Sequence, residues 1–464
     1  MIDAIAALLP GPASWFGADE VGLAASVAVL VVAGATALSR LGRTVPVAAA
    51  GPGLLLAVAA LAAVNAGDLR VLAALLLAVG ILELALVPRA ADHGRDPATG
   101  RPTSSRFAWR LAALVALLSP ALVALGALAR ATAGGTTTVE WIGRPLAGDT
   151  PTTLLFVGLV LPLALPPQLG GATHGLAAGP RDEDRGGYVL AGVLRPLVLL
   201  AALTRCFVGT SAFAPLGASA AGVALLLSLF GERTAARSFA AAVHAGFALC
   251  LAGAATGLEA TEDALALGSI GLALAATGTG LALAFATAER AADPGLGPRG
   301  LARVHPSLFA FSALSALGLA AAPGHLAYEA RARSIGALAA EGEGSAALAL
   351  TLLAAPIAAL AVLPFVVATF FSRAPAGPVS RARGRAPIGL VLATAAMGAG
   401  GIVLGLVPGA LAPLLPYGVA ATDRFPPTLQ CAELLVGGAL VAVLFARRLL
   451  STRPADEAPL SSSP

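Results

Sequence analysis

The chain has 464 residues, of which 58% are hydrophobic and only 12% are charged. Soluble domains are about one quarter charged, so this chain lacks the polar side chains needed to cover a water-soluble globule. The composition therefore predicts a polytopic membrane protein. The formal net charge of +4 fits arginine-rich cytoplasmic loops of such a protein and gives no indication of a nucleic-acid partner.

Apolar runs long enough to cross a bilayer recur along the whole chain. A transmembrane helix needs about 20 mostly apolar residues. About thirteen runs qualify: 21–39, 45–64, 71–88, 107–130, 151–167, 187–208, 213–230, 238–257, 264–287, 305–340 (interrupted), 345–372, 386–407 and 427–447. We predict an all-α polytopic membrane protein with about 13–14 transmembrane helices, forming one domain over 1–450. The polar stretch 451–464 is predicted to be a disordered cytoplasmic tail.

Arginine clusters give an independent prediction of the topology. With the N-terminus outside, nearly every cluster falls on the cytoplasmic side, as the positive-inside rule requires. Arg130 and Arg144 are exceptions. The clusters lie at 40–43, 89–110, 181–185, 233–237, 290–303, 373–385 and 447–453. We therefore expect a multi-pass protein of the cell inner (plasma) membrane, in contact with the lipid bilayer, whose C-terminus is cytoplasmic.

Two of the apolar runs are interrupted by proline and glycine. The first interruption spans 161–180 and contains His174, and the second is at Pro323-Gly324, next to His325. Irregular backbone at membrane depth requires protein or water around it, and paired interruptions in two halves are typical of transport proteins. A proline kink without a transport role is the alternative. For the two histidines, a loop or cap role is the alternative to proton relay.

Two charged side chains of opposite sign lie inside predicted spans. Glu83 is near the end of its span, and Arg195 is about a third of the way into another. Each charge is costly in a bilayer, so we predict an ion pair between them. The pair serves either a proton pathway or only helix packing. A further alternative is that Arg195 satisfies a carbonyl group that Pro196 frees one turn earlier.

Two more ionisable side chains are candidates for proton transfer. His244 lies inside the eighth predicted span, where a neutral imidazole can relay protons or simply join two helices by a hydrogen bond. Glu329 follows the second interruption, and its i,i+4 spacing to Arg333 also fits a plain ion pair. The acidic residues Glu259, Glu262 and Asp263 are predicted to lie in a solvated loop.

No sequence motif for redox, nucleotide or metal chemistry is present. The three cysteines lie far apart in apolar stretches, which predicts neither a disulfide framework nor a metal site. They are Cys206, Cys250 and Cys431. We therefore expect no cofactor and no bound metal.

Several segments, in chain order, resemble the antiporter-like subunits of respiratory complex I. The same family includes subunits of Mrp-type cation/proton antiporters and of membrane-bound hydrogenases, and subunits N and M are the types that this chain resembles most. The resemblance covers residues 70–410. Its matching segments are ILELALVP, RFAWRLAALVALLSPALVALGALARATAGGTTTVEWI, LVLPLALPPQLGGATHGL, VLAGVLRPLVLLAALTR, GERTAARSFAAAVHAGFAL, FSALSALGLAAAPGHLAYEA and LPFVVATFFSRAPAGP.

This resemblance implies a fold and a function. It implies inverted five-helix repeats, at approximately 71–230 and 238–407, each building a half-channel for protons. It places Glu83 at the essential glutamate of the family, Arg195 at the central lysine and His244 in the histidine segment. The implied function is proton translocation within a complex I-like inner-membrane complex of the NADH–quinone oxidoreductase type. The chain would then be a subunit without redox chemistry of its own, with other membrane subunits as partners and a quinone reached only through them.

The chain also departs from the family pattern. Arginine does not release its proton in proteins, with a pKa above about 12, so Arg195 is expected to be a fixed counter-ion of Glu83. The family's lysine near 268–285 is absent, and the charged group of its second broken helix falls near Tyr328 or Glu329. An alternative function is therefore a non-conducting membrane anchor that holds a soluble partner, as in inorganic-carbon uptake or hydrogenase-type complexes. A stand-alone secondary transporter is a third.

Overall fold

The protein is helical throughout the part of the chain that its computed structural model describes. That part comprises residues 16–17, 19–41, 47–86, 105–133, 135–139, 150–164, 186–207, 216–217, 219–223, 235–256, 262–292, 305–340, 342 and 386–415. Within these ranges there are two isolated β-bridges and no β-strand. The predicted all-α polytopic membrane fold is confirmed.

Eleven α-helices and one 3-10 helix are described. They are α1 (Glu20–Ser39), α2 (Val47–Val64), α3 (Leu69–Leu86), α4 (Ser105–Thr132), α5 (Thr150–Ala164), α6 (Gly186–Phe207), α7 (Ala235–Thr256), α8 (Glu262–Ala292), α9 (Pro306–Leu319), α10 (Leu326–Ala340), α11 (Ile388–Leu406) and a 3-10 helix over Pro408–Leu414. Among them, six contain segments long and apolar enough to cross a membrane. Three predicted spans, 213–230, 345–372 and 427–447, lie mostly or wholly outside the described residues, so the total of 13–14 helices stays a prediction.

Two helices form the centre of the bundle. Helix α8 packs against α1, α6, α7, α9, α10 and α11, and every residue of its segment 262–286 is buried. Helix α6 packs against α1, α2, α3, α5, α7 and α8. The peripheral helices instead carry large exposed apolar side chains, such as Leu54, Leu117 and Leu392. An outer surface of this kind suits contact with lipid acyl chains.

The ends of the first six helices lie at two opposite faces of the bundle. At one face the chain before α1 bonds to the end of α2, through the Gly17 N–H and the Asn65 carbonyl at 3.0 Å. At the same face the first residue of α3, Leu69, donates its N–H to the Thr137 carbonyl that follows α4, at 2.9 Å. The helix directions therefore alternate there, as the predicted topology requires. We call this side the Arg205 face, after the arginine near the end of α6.

The opposite face joins the two halves of the chain. A Cβ atom built on Gly389, at the start of α11, would lie 2.9 Å from the Leu41 carbonyl oxygen that follows α1. A Cβ atom on Gly187, at the start of α6, would lie 3.2 Å from the Leu86 side chain at the end of α3. We call this side the Arg40 face. The inverted repeats and the tail over 451–464 stay predictions, because much of both lies outside the described residues.

Helices α4 and α5 approach each other to backbone contact. A Cβ atom built on Gly126 would lie 2.8 Å from the Pro151 carbonyl oxygen, and one on Gly158 would lie 3.0 Å from the Ser119 carbonyl oxygen. The Ser119 hydroxyl donates to the Gly158 carbonyl at 2.7 Å. Small residues that permit such close approach are characteristic of helix contacts in membranes, where no hydrophobic driving force acts between helices.

Candidate functional site

A buried ion pair joins α3 to α6. The Nη1 atom of Arg195 donates to Oε2 of Glu83 over 2.9 Å. Only 13% of the Arg195 side chain and 10% of the Glu83 side chain are exposed. The predicted contact between these two residues is therefore present, and each charge is compensated by the other inside the apolar bundle.

The two helices place the pair nearer to the Arg40 face. Glu83 is three residues before Leu86, the last residue of α3, which corresponds to about 5 Å at 1.5 Å per residue. Arg195 is nine residues after Gly186, the first residue of α6, or about 14 Å along the helix. A long guanidinium side chain can bridge such a difference in depth because it reaches along its helix toward the surface.

The structure also decides between two explanations of the arginine. Pro196 lies inside α6 and removes one backbone hydrogen bond, which leaves a carbonyl group open one turn earlier. Among the described residues, the only hydrogen bond of the Arg195 side chain goes to Glu83 and not to that carbonyl. Pairing with Glu83, rather than backbone repair, accounts for the cation in this helix.

His244 is buried on α7 but is not joined to the ion pair. It is 8% exposed, and α7 packs against both central helices, α6 and α8. Within the described part of the chain its Nε2 atom has no hydrogen-bond partner. A buried polar atom in this state calls for a water molecule or a transient partner. The predicted relay role of His244 stays a prediction.

The predicted second broken helix is present between α9 and α10. Helix α9 ends in a Schellman motif, in which Ala322 N–H donates to the Leu317 carbonyl at 3.0 Å and Ala321 N–H to the Gly318 carbonyl at 2.9 Å. Glycine normally occupies the left-handed position of this motif, but here it is Ala321, with φ of 48°. Gly324, with φ of 86°, then redirects the chain into α10. Of the first predicted interruption, 161–180, residues 161–164 form the end of α5, and the remainder, with His174, lies outside the described residues.

His325 fills a slot between two helices at this break. Its side chain lies against Gly318 of α9 and Gly401 of α11 so closely that a Cβ atom on either glycine would overlap the imidazole ring. The residue is 2% exposed. The Ala327 backbone N–H points to Nδ1 at 3.5 Å, whereas Nε2 has no partner among the described residues.

The start of α10 carries three charged side chains. Arg333 donates to Glu329 at 3.0 Å, in the i,i+4 arrangement that the sequence allowed. The Nη2 atom of Arg331 donates to the Ala321 carbonyl at 3.3 Å, and its guanidinium lies 5.5 Å from the centre of the Tyr328 ring. Glu329 is therefore already paired, and a relay role for it stays a prediction.

A small cavity lies between α7, α8 and α10. Its volume is about 30 Å³, and Cys250, Arg331 and Ser334 are the side chains with polar or sulfur atoms that line it. A cavity that holds a water molecule needs at least about 10–15 Å³ and polar partners. The space therefore suits one or two waters beside the broken helix.

Two threonines of α8 are polar sites that the sequence did not reveal. The hydroxyls of Thr277 and Thr279 are buried and have no partner among the described residues. Three other helical threonines, Thr36, Thr204 and Thr394, bond to the carbonyl four residues earlier at 2.8–2.9 Å. A hydroxyl without this internal bond remains free to bind a water molecule.

The Arg205 face holds a polar cluster that sequence reasoning also missed. Arg205 donates to Asp19 at 2.5 Å and to the carbonyl groups of Gly17, Val64 and Ala66 at 2.8–3.0 Å. Its side chain is 2% exposed. Asp19 also caps α1 by accepting from the Gly22 N–H at 2.6 Å. These bonds hold three helix ends together and leave Arg205 no freedom for transport.

Arg130, an exception to the positive-inside pattern, has the same explanation. It is 1% exposed, and it donates to the Thr136 carbonyl at 3.2 Å and to the Thr152 hydroxyl at 2.8 Å. The positive-inside rule concerns arginines of loops, so a buried arginine held by structural hydrogen bonds gives no information on topology. Its exceptional position was the signal in the sequence that could have identified this role.

One prediction from the sequence was wrong. Glu262 and Asp263 lie in the first turn of α8 and are buried, each 8% exposed, rather than in a solvated loop. Acidic residues are favourable in a first helical turn because of the helix dipole. Among the described residues no group of three or more His, Cys, Asp or Glu side chains could hold a metal ion, and Glu259 and Cys431 lie outside them.

Comparison with known proteins identifies the fold. No protein-family model and no curated protein sequence matches the chain. A chain of the Mrp complex from a Dietzia species is 18% identical with a TM-score of 0.68, covering 91% of this chain and 86% of that one. A chain of respiratory complex I from Thermus thermophilus, solved with bound aureothin, is 22% identical with a TM-score of 0.63, covering 88% of each.

A third structural neighbour is archaeal. It is a chain of the membrane-bound sulfane sulfur reductase, an archaeal respiratory membrane complex, with 16% identity and a TM-score of 0.66. The alignment covers 97% of this chain and 76% of that one. The resemblance to antiporter-like subunits of complex I-type membrane assemblies is therefore confirmed at the level of the fold.

Proposed function

We propose that this chain is a proton-translocating membrane subunit of a complex I-like assembly in the inner membrane. The observation that carries the proposal is the ion pair of Glu83 and Arg195, a carboxylate held at 2.9 Å from a guanidinium between two helices of the bundle. Ionisable groups inside a membrane are costly and usually functional. The shared fold with chains of the Mrp, complex I and sulfane sulfur reductase assemblies supports a place beside other membrane subunits.

In this proposal Glu83 is the group that binds and releases the proton. Arg195 stays charged and stabilises the Glu83 carboxylate in the apolar interior. A proton arriving from the Arg40 face, which the arginine pattern predicts to be cytoplasmic, neutralises Glu83 and weakens the pair. The Arg195 guanidinium, no longer paired, then moves or attracts a new counter-charge. This rearrangement couples proton binding at Glu83 to the second half of the chain.

The second half supplies groups that can continue the pathway. His244 and His325 are buried and each has a ring nitrogen without a partner among the described residues. The cavity of about 30 Å³ beside Arg331 provides room for water between α7 and α10. Neutral imidazoles and water are suitable proton relays, and Glu329 and, outside the described residues, His174 remain relay candidates. Redox chemistry and contact with a quinone belong to partner subunits.

The second candidate is a non-conducting membrane anchor. It is favoured by the lack of any described hydrogen bond that links the ion pair to His244 or His325. Segment 262–286 of α8, which packs against α6 of the first half and α10 of the second, is buried throughout. Under this alternative the ion pair only fixes α3 to α6, and the chain holds a soluble partner at the membrane.

Proton flux in liposomes separates the two candidates. The tagged chain would be purified from native membranes with its partners and reconstituted into liposomes that contain a pH-sensitive dye, and a potassium diffusion potential would drive protons inward. We expect Glu83→Gln to reduce the initial rate at least about tenfold, because glutamine cannot carry a proton. Glu20→Gln, which removes an exposed carboxylate at the start of α1, should leave the rate unchanged.

The outcome decides the function. Flux that depends on Glu83 while the partners still co-purify supports translocation. Absence of flux above protein-free liposomes, with the same partners retained by the unaltered chain and by Glu83→Gln, supports the anchor. Equal, substantial flux in both would remove Glu83 from the pathway.

A further inference from the structure

The imidazole of His325 is held at the break between α9 and α10 by two glycines on different helices. A Cβ atom on Gly318 or on Gly401 would overlap the ring. Gly405, one turn further along α11, lets the backbone of Gly324 and His325 approach, since a Cβ atom there would lie 2.6 Å from the Gly324 carbonyl oxygen. The slot therefore exists only because these α9 and α11 positions lack side chains.

The hydrogen bonds of the slot fit one protonation state of the ring. The Ala327 N–H donates to Nδ1 at 3.5 Å, which places the single ring proton of a neutral imidazole on Nε2. Within the described part of the chain, Nε2 has no acceptor. A second proton would go onto Nδ1. Nδ1 would then be a donor facing the Ala327 N–H, which is also a donor, and their hydrogen bond would be lost. The charged ring would then have two donors, no acceptor and almost no water, and burial of such a group is strongly unfavourable.

None of the helix positions that form the slot carries a charged side chain. A protonated His325 ring could therefore pair with a charged group only after it leaves the slot. The described segments of α9 and α11 contain no ionisable side chain. On the helices that pack against α10, and on α10 itself, the ionisable side chains that the structure describes are His244 and Cys250 on α7, Glu262 and Asp263 on α8, and Tyr328, Glu329, Arg331 and Arg333 on α10. Glu329 is one turn after His325 on the same chain, and it already pairs with Arg333.

The backbone at this break contains one unfavourable conformation and one residue without an N–H donor. Ala321 occupies a left-handed conformation with φ of 48°, which is unfavourable for a residue with a side chain. Pro323 has no N–H to donate, and the residues between α9 and α10 are held by single turn bonds such as His325 N–H to the Ala322 carbonyl at 3.1 Å. Two contacts tie the break to α11: the packed ring of His325 against Gly401, and the backbone of Gly324 and His325 against Gly405.

We propose that His325 couples its own protonation to opening of the break between α9 and α10. The neutral ring occupies the glycine slot and closes the contact with α11. The protonated ring leaves the slot, and the segment around Pro323-Gly324 separates from α11. This inference rests on the proposed function for its role in proton transfer, but the structural coupling itself does not require that the chain conducts.

Hydrogen–deuterium exchange of the intact complex in nanodiscs tests the coupling without measuring proton flux. Protection of segment 318–330, corrected for the intrinsic pH dependence of exchange, would be compared at about pH 4.5 and about pH 8.5, on either side of the ordinary histidine value near 6.5. We expect the unaltered chain to lose protection by up to about a hundredfold at the lower pH, because a ring that is protonated only outside the slot favours the open state about tenfold for each pH unit below a value near 6.5. Segment 113–132 of α4 serves as the internal control and should not change.

Three variants identify the cause. His325→Phe keeps an aromatic ring that cannot be protonated, so protection should be the same at both values of pH. Gly401→Ala should expel the ring and lower protection about tenfold at both. Gly400→Ala is the matched control, because a Cβ atom there meets only Leu274 at an ordinary 3.7 Å, and it should behave as the unaltered chain.

Several results would overturn the inference. It fails if protection in the unaltered chain does not depend on pH, or if His325→Phe keeps the loss of protection at low pH. Equal behaviour of Gly401→Ala and Gly400→Ala would show that the slot does not hold the ring. If Gly401→Ala does not assemble, the comparison of His325→Phe with the unaltered chain still shows whether protonation of His325 causes the loss of protection. Coupling that persists while Glu83→Gln leaves flux unchanged would refute the proposed function and not the switch.

Discussion

Arg195 donates to Glu83 across 2.9 Å and thereby connects α6 to α3 within the apolar bundle. Neither side chain has another hydrogen bond among the described residues. Each charge therefore depends on the other, and removal of one partner leaves an uncompensated charge where water is scarce. This dependence separates a buried pair from the exposed salt bridges of soluble proteins, which contribute little to stability.

The mutual dependence predicts a strong coupling in a double-mutant cycle. Arg195→Met should destabilise the protein by about 3–5 kcal/mol, because it strands the Glu83 carboxylate. The double variant Glu83→Gln with Arg195→Met should recover much of this loss, giving a coupling energy of up to about 3 kcal/mol. The measurement is thermal unfolding of the detergent-solubilised protein for all four species.

Arg110→Met, which removes an exposed arginine on α4, is the control and should change stability by less than about 0.5 kcal/mol. Additive effects of the two single substitutions at the pair would contradict the coupling.

Arg195→Lys tests the geometry of the pair, because lysine keeps the charge but not the planar guanidinium. We expect it to retain most of the stability if charge is the main contribution.

A second prediction concerns Arg205 at the opposite face. Arg205→Met would leave three backbone carbonyls and Asp19 without their shared donor, so we expect a loss of about 3–5 kcal/mol in thermal unfolding experiments. Arg70→Met is the matched control. Arg70 also pairs with an aspartate, but 24% of its side chain is exposed, against 6% of the Asp68 side chain. Asp68 keeps the Thr137 hydroxyl and the backbone N–H of residue 70 as donors, so the loss of Arg70 should cost only about 1 kcal/mol. Equal losses in the two variants would show that burial is not the deciding factor.

A third prediction is a pH dependence at Asp68, which precedes α3 outside its membrane-spanning segment. Burial raises the pKa of the Asp68 carboxyl, but hydrogen bonds from the Arg70 and Thr137 side chains outweigh burial and hold it below the ordinary 3.8. Because the folded-state pKa is the lower one, the stabilisation is complete above that ordinary value and is lost as pH falls through the folded-state pKa.

The difference in melting temperature between the unaltered chain and Asp68→Asn should therefore be constant from neutral pH down to about pH 5 and shrink below about pH 4. Its full size should correspond to about 1 kcal/mol, because asparagine keeps the oxygen that accepts from the Arg70 backbone N–H at the start of α3 but loses the ion pair with the Arg70 side chain. The exposed Glu20 provides the control through Glu20→Gln. A difference that grows as the pH falls would have the wrong sign and would exclude this account.

The sequence was sufficient for the features that depend on composition and order. Apolar runs predicted the described helices, and the two opposite charges at Glu83 and Arg195 predicted a contact because neither is tolerable alone in a membrane. The break at Pro323-Gly324 was readable because proline and glycine interrupt helices by known local mechanisms.

Other features depend on which residues meet in three dimensions. Nothing in the spacing of Gly318 and Gly401 indicates that they enclose the same histidine ring. The burial of Glu262 and Asp263 results from packing around α8, which local polarity does not report. Arg205 looked like an ordinary arginine at a helix end, and only the fold places it between the end of α2 and Asp19.

A fourth prediction concerns the close contact of α4 with α5. Gly158→Ala would place a methyl group 2.9 Å from the Val123 side chain and 3.0 Å from the Ser119 carbonyl. Because one of these neighbours is backbone, the helices have to separate, and the hydrogen bond from the Ser119 hydroxyl to the Gly158 carbonyl should lengthen or break. We expect a loss of about 1–3 kcal/mol, as for other overpacked contacts.

Gly34→Ala in α1 is the control, since no atom lies within 4 Å of a Cβ atom there. Alanine is the better helix former, so this variant should be neutral or stabilising by up to about 1 kcal/mol. Thermal unfolding of the two single variants and of their combination makes the comparison, and the effects should add because the sites share no neighbours. A Gly158→Ala variant as stable as Gly34→Ala would mean that α4 and α5 tolerate a wider separation, and that the close approach of these helices does not hold this side of the bundle together.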